Sequence, residues 1–286
     1  DLIADHWLTD PQLMRLLAIS DLHLNHAENW AALSRLPAQT DAWLIVAGDV
    51  AEKVQHFRQA MDLLVRRFAR VIWTPGNHDL WTIPNDTHSK RGLAKYFQLV
   101  EICREFGVLT PEDPYAQWPA SSSPLFIAPT FTLYDYSFRP DHVAAEEALE
   151  WAEASGVVAT DEILLYPDPY PSREAWCQVR CQLTEARLRE TAVHGSIILV
   201  NHYPLRYDLV NIRRIPRFSL WCGTKLTEDW HKRFPIKAVV YGHLHIPGTH
   251  IRDGIPFEEV SLGYPQNWRP ERGILPYLRQ IWPQQQ

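Results

Sequence analysis

Asp21-Leu22-His23, Gly48-Asp49, Gly76-Asn77-His78-Asp79, Asn201-His202 and Gly242-His243-Leu244-His245 carry side chains of the kinds that hold metal ions. Each cluster ends an apolar, β-branched-rich run and opens a loop, so oxygen and nitrogen donors gather where a sheet's strands end. Donors drawn from several loops, with at least one carboxylate to share, suit a pair of cations that activate water and clamp an anionic substrate. With no cysteine in the set, Mn, Fe, Zn or Ni fits better than soft-metal or iron–sulfur chemistry. The chain has neither a G-x-S-x-G elbow nor a Cys/His signature, so no protein nucleophile is indicated.

Strands must deliver these clusters. Leu16–Ser20, Ala42–Ala47 and Arg70–Thr74 read as buried strands, with helices expected over 29–36 and 52–68. In the second helix Val54, Phe57, Met61, Leu64 and Phe68 fall at helical spacing. Twenty-eight residues separate Asp21 from Asp49, and twenty-eight more separate Asp49 from Asn77. Equal strand–helix–strand steps are what right-handed βαβ units produce, and such units bring the carboxyl ends of parallel strands together. Asp21, Asp49 and Asn77 are therefore expected to converge. Further on, a helix is expected over 91–106 and a strand over 125–129. The aromatic, proline-rich stretch 130–171, with an acidic helix over 143–155, breaks the rhythm. It reads as an insertion, too aromatic for a disordered linker. Ser172 is placed to cap a helix running to about residue 193. Strands over 196–200 and 238–241 then deliver Asn201-His202 and the Gly242 cluster. Between them lie a loop bearing Arg206, Arg213, Arg214 and Arg217 and a short helix over 227–233. A hairpin is expected around Asp253-Gly254.

The bulk composition narrows the function class. The chain has 286 residues, 46% hydrophobic and 22% charged, with a formal net charge of −6. That length suits one α/β domain spanning 1–286, and the negative charge argues against broad nucleic-acid binding, which needs a basic surface. Cys103, Cys177, Cys181 and Cys222 form no CxxC pair, and a reducing, cytoplasmic compartment fits them. No apolar run approaches the ~18 residues that a membrane span needs. Residues 1–13 are acidic without a basic n-region, unlike a secretory signal. Strand patterning begins only at Met14, so 1–13 read as an N-terminal appendage. Oligomeric state is left open.

In the order and spacing of these motifs the chain resembles the calcineurin-like metallophosphoesterase superfamily, from Leu16 to about Tyr264 with an interruption over 130–193. The resemblance implies an α/β fold, a β-sandwich flanked by helices in αββα layers, here with 130–193 as an inserted cap region. It implies that Asp21, His23 and His245 bind one metal, that Asn77, His202 and His243 bind the other, and that Asp49 bridges. His78 would contact the phosphate and assist the leaving group, and Asp79 would orient His78. One position departs from the pattern: Glu52 stands where the family often has Asp or Asn. The implied activity is hydrolysis of a phosphomonoester or phosphodiester of a small organophosphate or nucleotide. A hydroxide bridging two divalent ions, Mn foremost, would be the nucleophile. A single-strand nuclease and a non-catalytic scaffold are the alternatives; retention of His78 and of every expected ligand disfavours the scaffold. Arg206 and Arg213, following His202, are the candidates for substrate contact, able to pair with a second anionic group. The expected partner is a small phosphoester, with short nucleic acid second.

Overall fold

The computed structural model describes residues 14–119 and 121–284; the expected appendage 1–13 lies outside the described residues. The apolar runs are buried on both faces because the strands lie in an inner layer. In chain order the elements are β1 (Arg15–Ile19), α1 (Ala27–Ser34), β2 (Gln39–Val46), α2 (Val54–Val65), β3 (Phe68–Trp73), α3 (Asn77–Leu80) and α4 (Gly92–Glu105). Next come β4 (Ala116–Gln117), β5 (Leu125–Pro129), α5 (Ala148–Glu153), α6 (Asp161–Leu164), α7 (Arg173–Ala192) and β6 (Ser196–Val200). Then follow α8 (Trp230–Arg233), β7 (Ile236–Tyr241), β8 (Gly248–Arg252), β9 (Ile255–Glu259) and β10 (Arg279–Trp282).

Two sheets form, ordered β10-β1-β2-β3 and β4-β5-β6-β7-β9-β8. β1, β2 and β3 are parallel, as the equal spacing predicts, and so are β5, β6, β7 and β9. Alternation along each strand assigns its two faces. Leu16, Ala18, Trp43, Ile45, Ile198, Val200, Ala238 and Val240 pack together between the sheets. Their neighbours Leu17, Ile19, Leu44, Val46, Ile197, Leu199 and Val239 join the core that holds Phe57 and Met61 of α2 and Tyr96 and Leu99 of α4. The result is the expected sandwich between helical layers.

Two elements differ from the sequence reading. The acidic helix is confined to Ala148–Glu153, because the Val143 carbonyl accepts from Arg139 Nε at 2.8 Å and residues 140–148 form separate turns. β10 lies in the Pro- and Trp-rich tail, which gave no strand signal; it pairs antiparallel with β1, and only Ile281 of its four residues is buried. Residues 130–195 form the crossover from β5 to its parallel neighbour β6. Ser172 Oγ caps α7 by accepting from Ala175 N, and Tyr134, Phe138, Leu165 and Trp176 are buried in the same core as the strands. All four cysteines are free and buried. No helix among the described residues is long and apolar enough to cross a membrane.

Candidate metal centre

The strand ends are held in unusual backbone. Among the described residues eight non-glycine residues have positive φ, and five of them are Asp21, His23, Asp49, His243 and His245. Side chains other than glycine seldom adopt this conformation, and such strain gathers at functional sites. It lets these side chains, with Leu22 and Leu244 between them buried in the core, gather at the strand ends. Glycine is required beside them: a Cβ on Gly76 would stand 2.0 Å from Asp49 Oδ1, and one on Gly48 2.5 Å from His202 Nδ1.

Asp79 is the tie between two of these loops. Its carboxylate accepts from the backbone N–H of Asp49, Val50, Ala51 and Gly76 at 2.8–3.2 Å and from the Trp73 indole at 3.3 Å. The expectation that Asp79 orients His78 is corrected here, since its oxygens serve the backbone. The carboxylate at the His78 ring is Glu52, with Oε1 3.2 Å from Nδ1. The departure from the family pattern thus occupies the orienting position.

The seven expected ligands meet at one rim. Asp21, His23 and His245 bring one donor atom each within 4.8 Å of one another, as do Asp49, His202 and His243. Asp49 also groups with His23 and His78, so it stands between the two sets. Asn77 Oδ1 lies 3.3 Å from His202 Nε2. Ring nitrogens approach in pairs, His23 to His245 at 3.1 Å and His243 to His202 at 3.2 Å. Two ligands about 2.1 Å from one ion and at right angles stand about 3.0 Å apart, so the spacing fits a shared cation. Asp21 Oδ2 accepts from Ser20 Oγ, Ser261 Oγ and His243 N at 2.6–3.0 Å, leaving Oδ1 toward His245. His202 Nδ1 donates to the Ala47 carbonyl at 2.8 Å, which makes Nε2 the nitrogen that can take a metal once its proton is lost.

The charges agree. Burial, and then the charge of His78, pushes His23 down to about 3; burial, and then His202, pushes His243 down to about 3. Both rings are neutral at pH 7, as ligands must be. Burial opposes charging His202 too, but the Asp49 carboxylate overcomes it and pushes the ring up to about 10. Burial likewise opposes ionising Asp49, and the charge of His202 holds the carboxyl far below its usual range.

Residues 14–247 match the family model for calcineurin-like phosphoesterases. The chain belongs to that family. It is a metallophosphoesterase, a hydrolase of phosphoester bonds. It is 50% identical over 273 residues to the [acyl-carrier-protein] phosphodiesterase PptH of Mycobacterium tuberculosis, covering 95% of this chain and 84% of the relative. The crystal structure of phosphopantetheinyl hydrolase (PptH) from M. tuberculosis superposes with a TM-score of 0.90 at 48% identity, covering 96% of this chain and 98% of that one. The family uses divalent metals, and the rim carries groups suited to them.

Around the phosphoesterase rim the walls are aromatic. Tyr264 stacks on His23 with ring centroids 4.4 Å apart, and Trp81 lies 3.7 Å from the His78 ring. Asn201 turns away from the rim to bind Thr132 and the Tyr203 carbonyl. The two arginines expected at the substrate part company. Arg206 Nε donates to Asp208 at 2.8 Å, and Nη1 lies 3.7 Å from Asp253, so its charge is matched. Arg213 is exposed and has no ion pair among the described residues. Both line a cavity of about 690 Å³ with Tyr207, Asn211 and Pro216. Phe218, on the same loop, stacks on His243 at 6.0 Å and links that loop to the rim. Sequence reasoning missed Asp161, whose Oδ1 accepts from Asn77 Nδ2 at 2.9 Å; a lone aspartate in the crossover gave no signal.

Proposed function

We propose that this phosphoesterase cleaves the phosphodiester joining a phosphopantetheinyl group to an acyl-carrier protein. The support for that substrate is the 50% identity to an acyl-carrier-protein phosphodiesterase over 95% of this chain. The observation that carries the chemistry is the convergence of Asp21, His23 and His245 on one side of Asp49 and of His202 and His243 on the other. Asp21, His23 and His245 would hold one cation, Asn77, His202 and His243 a second, with Asp49 shared. Mn is the metal the nitrogen and oxygen donors favour, with Fe, Zn and Ni as alternatives. Bound there, two cations supply an acidified water and neutralise phosphoryl charge.

The chain's own groups do the rest. Buried Asp21 and Asp49 supply negative charge in a site with little water, where it counts most. His78 hands a proton to the leaving oxygen: Glu52 engages its Nδ1, and the ring groups with His23 and Asp49 at the rim. Trp81 and Tyr264 fix the walls, so the phosphoryl group meets an ordered site. Arg213 offers an unmatched guanidinium for an anionic group away from the scissile phosphorus. Free, buried cysteines suit a cytoplasmic setting. A single-strand nuclease would use a basic stacking track, which a net charge of −6 disfavours.

The test is direct. Incubated with phosphopantetheinylated acyl-carrier protein and Mn²⁺, the enzyme is expected to release the arm, read by mass spectrometry as a loss on the carrier. Hydrolysis of aryl phosphodiesters together with an intact carrier would refute the substrate and keep the chemistry.

A further inference from the structure

The crossover between β5 and β6 touches the rim through one carboxylate. Asp161, at the start of α6, is 2% exposed. Its Oδ1 accepts from Asn77 Nδ2 at 2.9 Å and from Trp81 Nε1 at 2.7 Å. Both donors follow β3, on either side of His78. An asparagine amide can turn either way, and only its carbonyl oxygen can bind a cation. A carboxylate accepts and does not donate, so Asp161 takes Asn77 Nδ2 and leaves Oδ1 at 3.3 Å from His202 Nε2. The same oxygen holds the indole whose ring lies 3.7 Å from His78.

We propose that Asp161 is a positioning residue for phosphoester hydrolysis: one of its oxygens sets the orientation of Asn77 toward the metal rim and of the Trp81 ring against His78. A purely architectural role is already filled by other bonds. Arg173 Nη2 donates to the Asp161 carbonyl at 2.8 Å and Nε to the Leu165 carbonyl at 2.9 Å, while Thr82 N donates to the Leu164 carbonyl at 2.9 Å. These tie α6 to α7 and to the loop after α3 without the carboxylate. The Asn77 and Trp81 bonds both go to Asp161 Oδ1, so that oxygen does the orienting.

The inference rests on the two-metal reading above, and the test separates the two. Metal-free wild type, Asp161→Ala and Asp161→Asn are titrated with Mn²⁺ by calorimetry. Turnover is then measured on aryl phosphodiesters with good and poor leaving groups. Asp161→Ala frees the Asn77 amide and should weaken one of two Mn²⁺ sites by about 10–100-fold, the range for lost outer-shell partners. Its kcat should fall more for the poor leaving group, the signature of a disturbed His78. Asp161→Asn keeps Oδ1 as acceptor, because Trp81 Nε1 can only donate and so fixes which way the new amide turns. It should restore both readouts to within about threefold. Should Asp161→Ala not fold, Asp161→Ser takes its place with the same expectation. Wild-type Mn²⁺ affinity in the truncated variant, or equal losses in Asp161→Asn, would overturn the proposal. Wild type failing to bind two Mn²⁺ would overturn the two-metal reading instead.

Discussion

The strand-end rim and the β5–β6 crossover meet at one cluster and are built differently. Around the rim, donors come from loops next to their strands, turned by positive φ at Asp21, His23, Asp49, His243 and His245. Asp79 fastens the loops after β2 and β3 through backbone N–H groups. The crossover instead reaches the rim through a side chain that spans a long stretch of sequence, Asp161 to Asn77 and Trp81. The rim therefore carries what the chemistry requires, and the crossover adjusts how it is presented. Damage to the first should abolish the reaction, and damage to the second should grade it.

Changes at the rim's centre should break it. Asp49→Asn removes the carboxylate that both cations would share and should lower kcat at least about a thousandfold, with loss of both metals by elemental analysis. Near-normal turnover would mean the bridge is misassigned. His78→Ala should lower kcat about 10²–10⁴-fold while metal content stays, with a smaller loss for nitrophenolate leaving groups. Collapse of metal occupancy would make His78 a ligand, as its grouping with His23 and Asp49 permits.

Smaller effects sharpen the contrast. Glu52→Gln should cost about 10–100-fold in kcat with intact metal binding, since it loosens His78 alone; a full loss of metal would give Glu52 a different role. Metal affinity should rise with pH. His202 must lose its proton to bind, and that proton is held up to about 10, so affinity should gain about tenfold per unit below that pH if His202 is the only group to deprotonate. In the metal-free protein the sign reverses: the raised His202 stabilises the fold at low pH, and this contribution is lost as pH climbs toward 10. A flat affinity profile from pH 6 to 9 would argue against His202 as a ligand. Last and smallest, Arg213→Ala should raise KM a few-fold, on the order of one charge-assisted hydrogen bond, for the carrier-protein substrate and leave aryl diesters unchanged. Arg206→Ala should chiefly lower the melting temperature, because its guanidinium already serves Asp208 and Asp253.

What could be read from the sequence follows the same division. Asp21, Asp49 and Asn77 were legible because a parallel βαβ step repeats every twenty-eight residues and ends each strand in the same layer. His202, His243 and His245 followed from strands whose apolar runs are unmistakable. Asp79 was read as the partner of His78, and Glu52 was given no role, because loop geometry decides whether a carboxylate serves the backbone or an imidazole. Asp161 left no trace, since its partners Asn77 and Trp81 lie 84 and 80 residues upstream. β10 was hidden because an edge strand with one buried side chain has almost no period to detect.

The central claim is that two divalent cations share Asp49 at this rim. Calorimetric titration of metal-free protein with Mn²⁺, read alongside the same titration of Asp49→Asn, tests it most directly. The account predicts two ions bound per wild-type chain and both sites weakened together in the variant. Binding of a single ion, or of two ions that Asp49→Asn leaves undisturbed, would contradict it.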